Sequence, residues 1–195
     1  MMKRRDQEIE KLKKEILLLR KITFKDPLTG LYNRRGFLNE VNRLVKMVDG
    51  IQQRMPTNSS NLFETLGLIF VDLDDFKKIN DNFGHKVGDM VLKKIAETLE
   101  RSLRKFDIVG RWGGDEFVIL TLGVGRPIVL SIAQRLKNKV ESLVFKEKKK
   151  NFNLTASFGA TVFSSKDFKI EDYINKTDKA MYRAKKQGKN EIVVV

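Results

Sequence analysis

The sequence predicts one α/β domain built on a mixed β-sheet, with a charged helical stalk ahead of it. Three observations carry that expectation. The apolar run at residues 66–71 is uninterrupted, the mark of a strand covered on both faces. Strand and helix patterns follow one another in the order β-α-α-β-β-α-β-α-β, so a hairpin is combined with crossover helices and the sheet must hold both strand directions. A chain of 195 residues, 41% hydrophobic and containing 13 Phe, has the apolar content for one real core rather than for disorder.

Each element has its own signal. Residues 3–22 read as a helix with a narrow apolar seam, Ile9, Leu12, Ile16 and Leu19, spaced 3, 4 and 3 apart in the a/d rhythm of a coiled coil. So short a seam is too little for a stable dimer alone, so it reads as a stalk that adds to other dimer contacts. An amphipathic helix packed on its own domain is the alternative. The division expected is therefore a signalling helix over 1–24 and a globular domain over 25–195. Asp26-Pro27-Leu28-Thr29-Gly30 breaks the helix, since Pro cannot continue it and Gly permits a turn. A second helix places Phe37, Val41, Leu44, Val45 and Val48 on one face, and residues 50–65 read as a polar loop. After the buried strand, helices are expected at 75–82 and 87–103. Strands at 107–111 and 116–122 flank Trp112-Gly113-Gly114-Asp115, a hairpin whose glycines would supply positive φ. A helix over 127–145, a basic run at 146–150, a strand over 153–163, a helix over 170–187 closed by Gly188 and a strand over 190–195 complete the chain.

Composition narrows the function. With Lys+Arg at 39 against Asp+Glu at 25, the formal charge is +14. That excess invites polyanions such as nucleic acid, anionic lipid or phosphorylated small molecules, or simply a solvated basic surface. The absence of cysteine excludes a disulfide framework, a zinc–thiolate site and a thiol nucleophile. Charged residues at 33% and no apolar run of 18 exclude a membrane span, and the charged N-terminus lacks the apolar stretch of a signal peptide. A cytoplasmic location is expected.

Two acidic clusters stand out against the basic background. Asp72, with Asp74 and Asp75, ends the buried strand, and Asp115-Glu116 sits at the glycine hairpin. If those strands are neighbours, Asp72 meets Asp115 and Glu116 at one end of the sheet. Carboxylates gathered this way repel one another unless a cation stands between them. Oxygen ligands without His or Cys point to Mg²⁺ or Mn²⁺, ions that recruit phosphates and serve in-line displacements; turn and cap carboxylates are the competing reading. Phe76-Lys77-Lys78 opens a helix just afterwards, so its free N–H groups are available to phosphate oxygens. Lys185 and Lys189 share a face only if their helix persists past Gly188. Asn80 and Asp89 flank a connection between two helices and make a plausible base-reading pair. A carboxylate accepts both N1–H and N2–H of guanine, and adenine has no N1–H; helix capping is the alternative. His85, the single histidine, reads as a cap or ligand contact rather than a general base.

Together these segments resemble the GGDEF domain of diguanylate cyclases. Gly113-Gly114-Asp115-Glu116-Phe117 spells the signature. Asp26-Pro27-Leu28-Thr29-Gly30-Leu31-Tyr32-Asn33-Arg34-Arg35 is similar to the family's leading motif, and Phe70 through Asp81 with Phe83 through Asp89 to its substrate segment. Ser157-Phe158-Gly159, Tyr182-Arg183-Ala184-Lys185 and Gly188-Lys189-Asn190 complete a set in the right order over about residues 24–195. The resemblance implies a nucleotidyl-cyclase or polymerase-palm-like fold, a mixed central sheet flanked by helices. It implies condensation of two GTP into cyclic di-GMP with release of two pyrophosphates. Asp72, the Leu73 carbonyl, Asp115 and Glu116 would bind Mg²⁺ (or Mn²⁺), with Asp115 also helping to deprotonate the attacking 3′-OH. Asn80 and Asp89 would hold guanine with His85 nearby, and Phe76, Lys77, Lys185 and Lys189 would contact the phosphates. Arg104-Lys105-Phe106-Asp107 lies where the family carries an allosteric product site, with Arg135 as a second contributor. The expected partners are GTP, cyclic di-GMP and a second copy in a homodimer. An inactive cyclic di-GMP receptor is the alternative, but it would lose metal or guanine ligands that this chain keeps. A nucleic-acid binder would interleave aromatics with basic residues on a strand face, whereas the Phe residues here follow core periodicities, so no nucleic acid is expected.

Overall fold

In a computed structural model of the chain, the residues described are 8–13, 15, 23–52, 65–148, 150–164 and 169–195. Helix α1 (Arg34–Gln52) leads into strand β1 (Thr65–Leu73), followed by α2 (Phe76–Phe83) and α3 (His85–Arg101). Then come β2 (Ile108–Arg111), β3 (Glu116–Leu122), α4 (Arg126–Glu141), β4 (Phe145–Glu147), β5 (Lys150–Phe152), β6 (Ala156–Ser164), α5 (Ile170–Lys186) and β7 (Ile192–Val194). Five strands form one sheet in the order β2-β3-β1-β6-β7. All neighbours are antiparallel except β6 and β7, which are parallel, so the sheet is mixed.

Strand β1 lies at the centre, and its residues divide between two cores because side chains alternate across a strand. Leu66, Leu68 and Phe70 join Phe37, Val41, Leu44 and Val45 of α1 and Ile170, Ile174 and Met181 of α5. Ile69, Val71 and Leu73 join Val91, Ile95 and Leu99 of α3 and Val129, Ile132 and Leu136 of α4. Burial on both faces explains the unbroken apolar run. Gly159 of β6 lets α5 lie close, since a Cβ there would overlap backbone atoms of Thr177 and Met181. Among the described residues no helix is long and apolar enough to cross a membrane.

Three local expectations are corrected. Residues 50–52 extend α1 rather than beginning a loop, and 53–64 lie outside the described residues. The basic run at 146–150, for which no element is expected, lies in a hairpin. It forms most of the hairpin β4–β5, because Phe145 and Phe152 pair across it and stack at 5.5 Å, and Phe152 stacks on Phe83 at 4.6 Å. The preceding helix accordingly stops at Glu141. The signature hairpin does not use positive φ at its glycines; the glycines with positive φ are Gly30, Gly84, Gly123 and Gly188. Residues 8–13 are helical, and Ile9 and Leu12 are 42% and 52% exposed. Ile16 and Leu19 lie outside the described residues.

Candidate active site

The site gathers at one end of the central strands. Pairing of β1 with β3 sets Asp72 directly opposite Glu116, and such partners point to the same face. The Leu73 amide donates to the Asp115 carbonyl at 3.3 Å, which brings Asp115 alongside. The carboxylates therefore straddle the sheet end. Asp72 and Glu116 line a groove of about 720 Å³ with Asp178, Tyr182 and Lys185 of α5. Asp115 lines a pocket of about 370 Å³ on the other side with Phe76, Lys77, Asn80, His85, Asp89 and Arg111.

Crowding shows in the electrostatics. Burial pushes the Asp72 carboxyl up to about 6, aided by the negative charges of Asp115 and Glu116 and opposed by Lys185. Glu116 is raised as well, by burial and by Asp115 and Asp178, against Lys185 and Arg34. Lys185 Nζ stands 2.6 Å from Asp72 Oδ1, yet that buried oxygen accepts no well-aligned hydrogen bond. An oxygen-only donor set, Asp72 opposite Glu116 with Asp115 alongside, fits a hard divalent cation. Among the described residues no three acidic or histidine side chains already enclose a metal position.

Helix α5 ends at Lys186, so Lys185 and Lys189 do not share a helical face. Gly188, Lys189 and Asn190 all have positive φ, at 121°, 64° and 50°, and this turn brings Lys189 Nζ within 2.8 Å of Asp75 Oδ2. Lys77 is exposed at the start of α2 while Phe76 is buried, at 8% exposure. The Phe76 ring thus belongs to the core. Asn80 lies against α3 because position 88 is glycine; a Cβ there would overlap Asn80 Oδ1. Asp89 and His85 are exposed on the rim. Asp74, grouped with Asp72 in the sequence, turns away: it accepts hydrogen bonds from Thr155 Oγ1, Ser157 Oγ and the Asn190 amide at 2.7, 2.7 and 2.9 Å.

Two residues escaped the sequence reading. Arg111 donates to the Gly114 carbonyl at 2.7 Å and to both Asp26 oxygens at 3.2 Å, tying the signature hairpin to the Asp26–Gly30 turn. Its signal was faint, a basic residue just ahead of two glycines. Asp178 faces Glu116 from α5 and carries no motif beyond its place one turn before Tyr182. Gly113 leaves room for Glu116, whose Oε2 would lie 2.5 Å from a Cβ at 113. Arg104, Asp107 and Arg135 collect elsewhere. The Arg104 amide donates to Asp107 Oδ2 at 2.9 Å, and Arg135 Nη2 reaches the Ser102 carbonyl at 2.8 Å. Strand β2 intervenes before the signature hairpin, and four residues at about 3.3 Å each separate the two places by roughly 13 Å.

This is the fold of the palm-like nucleotidyl cyclases. Within that class, residues 23–191 match the family described as "Diguanylate cyclase, GGDEF domain", and the chain belongs to it. It is 31% identical over 175 residues to probable diguanylate cyclase DgcT of Escherichia coli, covering 89% of this chain and 36% of that protein. It is 30% identical over 189 residues to diguanylate cyclase VdcA of Vibrio cholerae, covering 95% of this chain and 51% of that protein. The chain thus spans about a third to a half of these relatives' length. Among solved structures, the coiled coil and GGDEF domain of Caulobacter crescentus DgcB, in complex with c-di-GMP, superposes with a TM-score of 0.84 at 23% identity, covering 100% of this chain and 97% of that one. Pseudomonas aeruginosa SiaD, in complex with its activator SiaC, does so with a TM-score of 0.74 at 29% identity, covering 100% and 70%.

Proposed function

We propose that the domain condenses two GTP molecules into cyclic di-GMP and two pyrophosphates in the cytoplasm. The observation that carries this reading is the crossed pair Asp72 and Glu116, with Asp115 alongside, set between the groove under α5 and the pocket of Asn80 and Asp89. In each half-reaction the 3′-oxygen of one GTP attacks the α-phosphorus of the other. A P–O bond forms there as the bond to the α,β-bridging oxygen breaks, pyrophosphate leaves, and the hydroxyl proton passes to the Asp115 carboxylate. Asp72, the Leu73 carbonyl, Asp115 and Glu116 would hold Mg²⁺ or Mn²⁺, which supplies neutralisation of the phosphate charge. The N-terminus of α2, Lys77, Lys185 and Lys189 would hold the phosphates. Asn80 and Asp89 would read guanine, with His85 at the rim.

Asp89 is exposed, so its rejection of adenine rests on hydrogen bonds lost rather than on a buried charge left bare. A preference for GTP of about tenfold to a hundredfold follows. The test is incubation of the full chain with Mg²⁺ and either GTP or ATP, with separation of the products. Cyclic di-GMP is expected from GTP, and Asp115→Asn should keep the parent's circular dichroism while forming none. Wild-type turnover by that variant, or equal use of ATP, overturns the assignment.

The Arg104–Asp107 turn, with Arg135 beside it, is the proposed product site: Arg grips phosphate or stacks on guanine while Asp accepts from the base edge. Arg104→Ala should relieve inhibition by added cyclic di-GMP. Undiminished sensitivity would place the inhibitory site elsewhere.

A further inference from the structure

We propose that Asp74 is a positioning residue that sets the Lys189 ammonium, and through it the affinity for nucleotide phosphate. The inference rests on the reading of Lys189 as a phosphate ligand and adds how that lysine is held. Three consecutive residues, Gly188, Lys189 and Asn190, take positive φ. For the glycine this is free and asparagine tolerates it, but Lys189 is strained by roughly 1 kcal/mol or more, and such conformations persist only where surroundings over-determine them.

What over-determines them is the Asp74 carboxylate. Its Oδ2 accepts the Asn190 amide at 2.9 Å, while Thr155 and Ser157 hydroxyls, both at 2.7 Å, fix the carboxylate itself. The Asp74 amide in turn donates to the Thr155 carbonyl at 2.8 Å. With Asp74 only 6% exposed, this anchor has little freedom. The Lys189 amide on the Ala184 carbonyl at 3.3 Å and Asn190 Nδ2 on Glu141 at 3.2 Å are longer, while the Phe158 amide on the Glu191 carbonyl at 2.9 Å holds the chain just after the turn. The turn, so fixed, brings Lys189 Nζ to Asp75, directly before α2. Asp74 and Asp75 are neighbours in sequence with separate tasks. One is sealed and holds the backbone of residue 190, and the other meets the tip of residue 189.

The experiment is a double-mutant cycle on the full chain, read by calorimetric binding of 3′-deoxy-GTP with Mg²⁺, a nucleotide that binds but cannot attack. Lys189→Ala should weaken binding about tenfold. Asp74→Asn presents an amide that cannot serve all three donors as a carboxylate does, and should weaken binding by about fivefold. The double variant should bind no worse than Lys189→Ala alone, since Asp74 acts through that side chain. Asn190→Pro removes the same hydrogen bond and the same φ from the turn side, together with the Asn190–Glu141 bond, while leaving Asp74, Thr155 and Ser157 unchanged. It should reproduce the loss and the non-additivity, and it replaces Asp74→Asn in the cycle if that variant does not fold. Multiplying losses in the double variant would overturn the proposal alone, because Asp74 would then act on the fold at large. Unweakened binding by Lys189→Ala would overturn the phosphate role of Lys189, and the proposal with it.

Discussion

At the scale of single residues, the chain holds aspartates in opposed electrostatic environments. Burial acts to raise both Asp26 and Asp72. At Asp72 it prevails, whereas at Asp26 it is outweighed by the Thr29 hydroxyl and amide, at 2.6 and 2.8 Å, and by the Arg111 guanidinium, so that carboxyl sits below its usual range. A group depressed on folding contributes stability that is complete above its unfolded pKa of about 3.9 and is lost as pH falls through the folded value. Asp26→Asn should therefore lower stability by about 1–2 kcal/mol at pH 7, a few degrees in Tm. The gap between variant and parent should close below about pH 4. Thermal melts at several pH values check this, and a gap unchanged down to pH 3 contradicts it. The same bonds hold the signature hairpin, so the variant should also weaken GTP turnover.

At the scale of elements, strand β6 and helix α5 meet at a glycine. Gly159→Ala would set a methyl against the Thr177 carbonyl oxygen and the Met181 backbone, atoms that cannot rotate aside. Helix α5 must move, at a loss of about 1–3 kcal/mol, and Lys185 moves with it. Urea unfolding and nucleotide binding should both show the defect; a variant of parental stability would mean that α5 shifts freely. This seam also marks where the sequence stops being informative. The opposition of Asp72 and Glu116 was legible, because an apolar run ending in acid and a glycine hairpin ending in acid align when their strands pair. The direction of Asp74 was not. Alternation predicts sides only within a strand, β1 ends at Leu73, and Asp75 follows with φ of 54°. The partners of Asp74 lie 81, 83 and 116 residues away, beyond any local pattern. The hairpin β4–β5 was hidden for a related reason, since its lysines mask the pairing of Phe145 with Phe152.

At the scale of the whole molecule, the proposed reaction needs two nucleotides, while the described residues hold one carboxylate cluster and one pair of Asn80 and Asp89. The proposed reaction would bring a second copy face to face, and association of two domains is opposed by several kcal/mol of lost rigid-body freedom. A short helical seam offsets part of that by raising the local concentration of the partner, and the exposure of Ile9 and Leu12 leaves them available for it. Deleting residues 1–22 should leave GTP binding nearly intact but lower specific activity at dilute protein, with recovery as concentration rises. Equal activity at nanomolar concentration would remove the seam from this role. The central position of β1 has a temporal consequence as well. Joining the β3 hairpin to β1 closes a shorter loop than joining β6 or the turn after α5, and loop closure opposes folding somewhat more as the loop lengthens. The acidic pair is therefore expected to assemble while residues 150–195 are still searching. A growing or refolding chain would then own its carboxylates, Lys77 and the Asn80–Asp89 pair before Lys185 and Lys189 are in place, so the proposed grip on phosphate would be completed last.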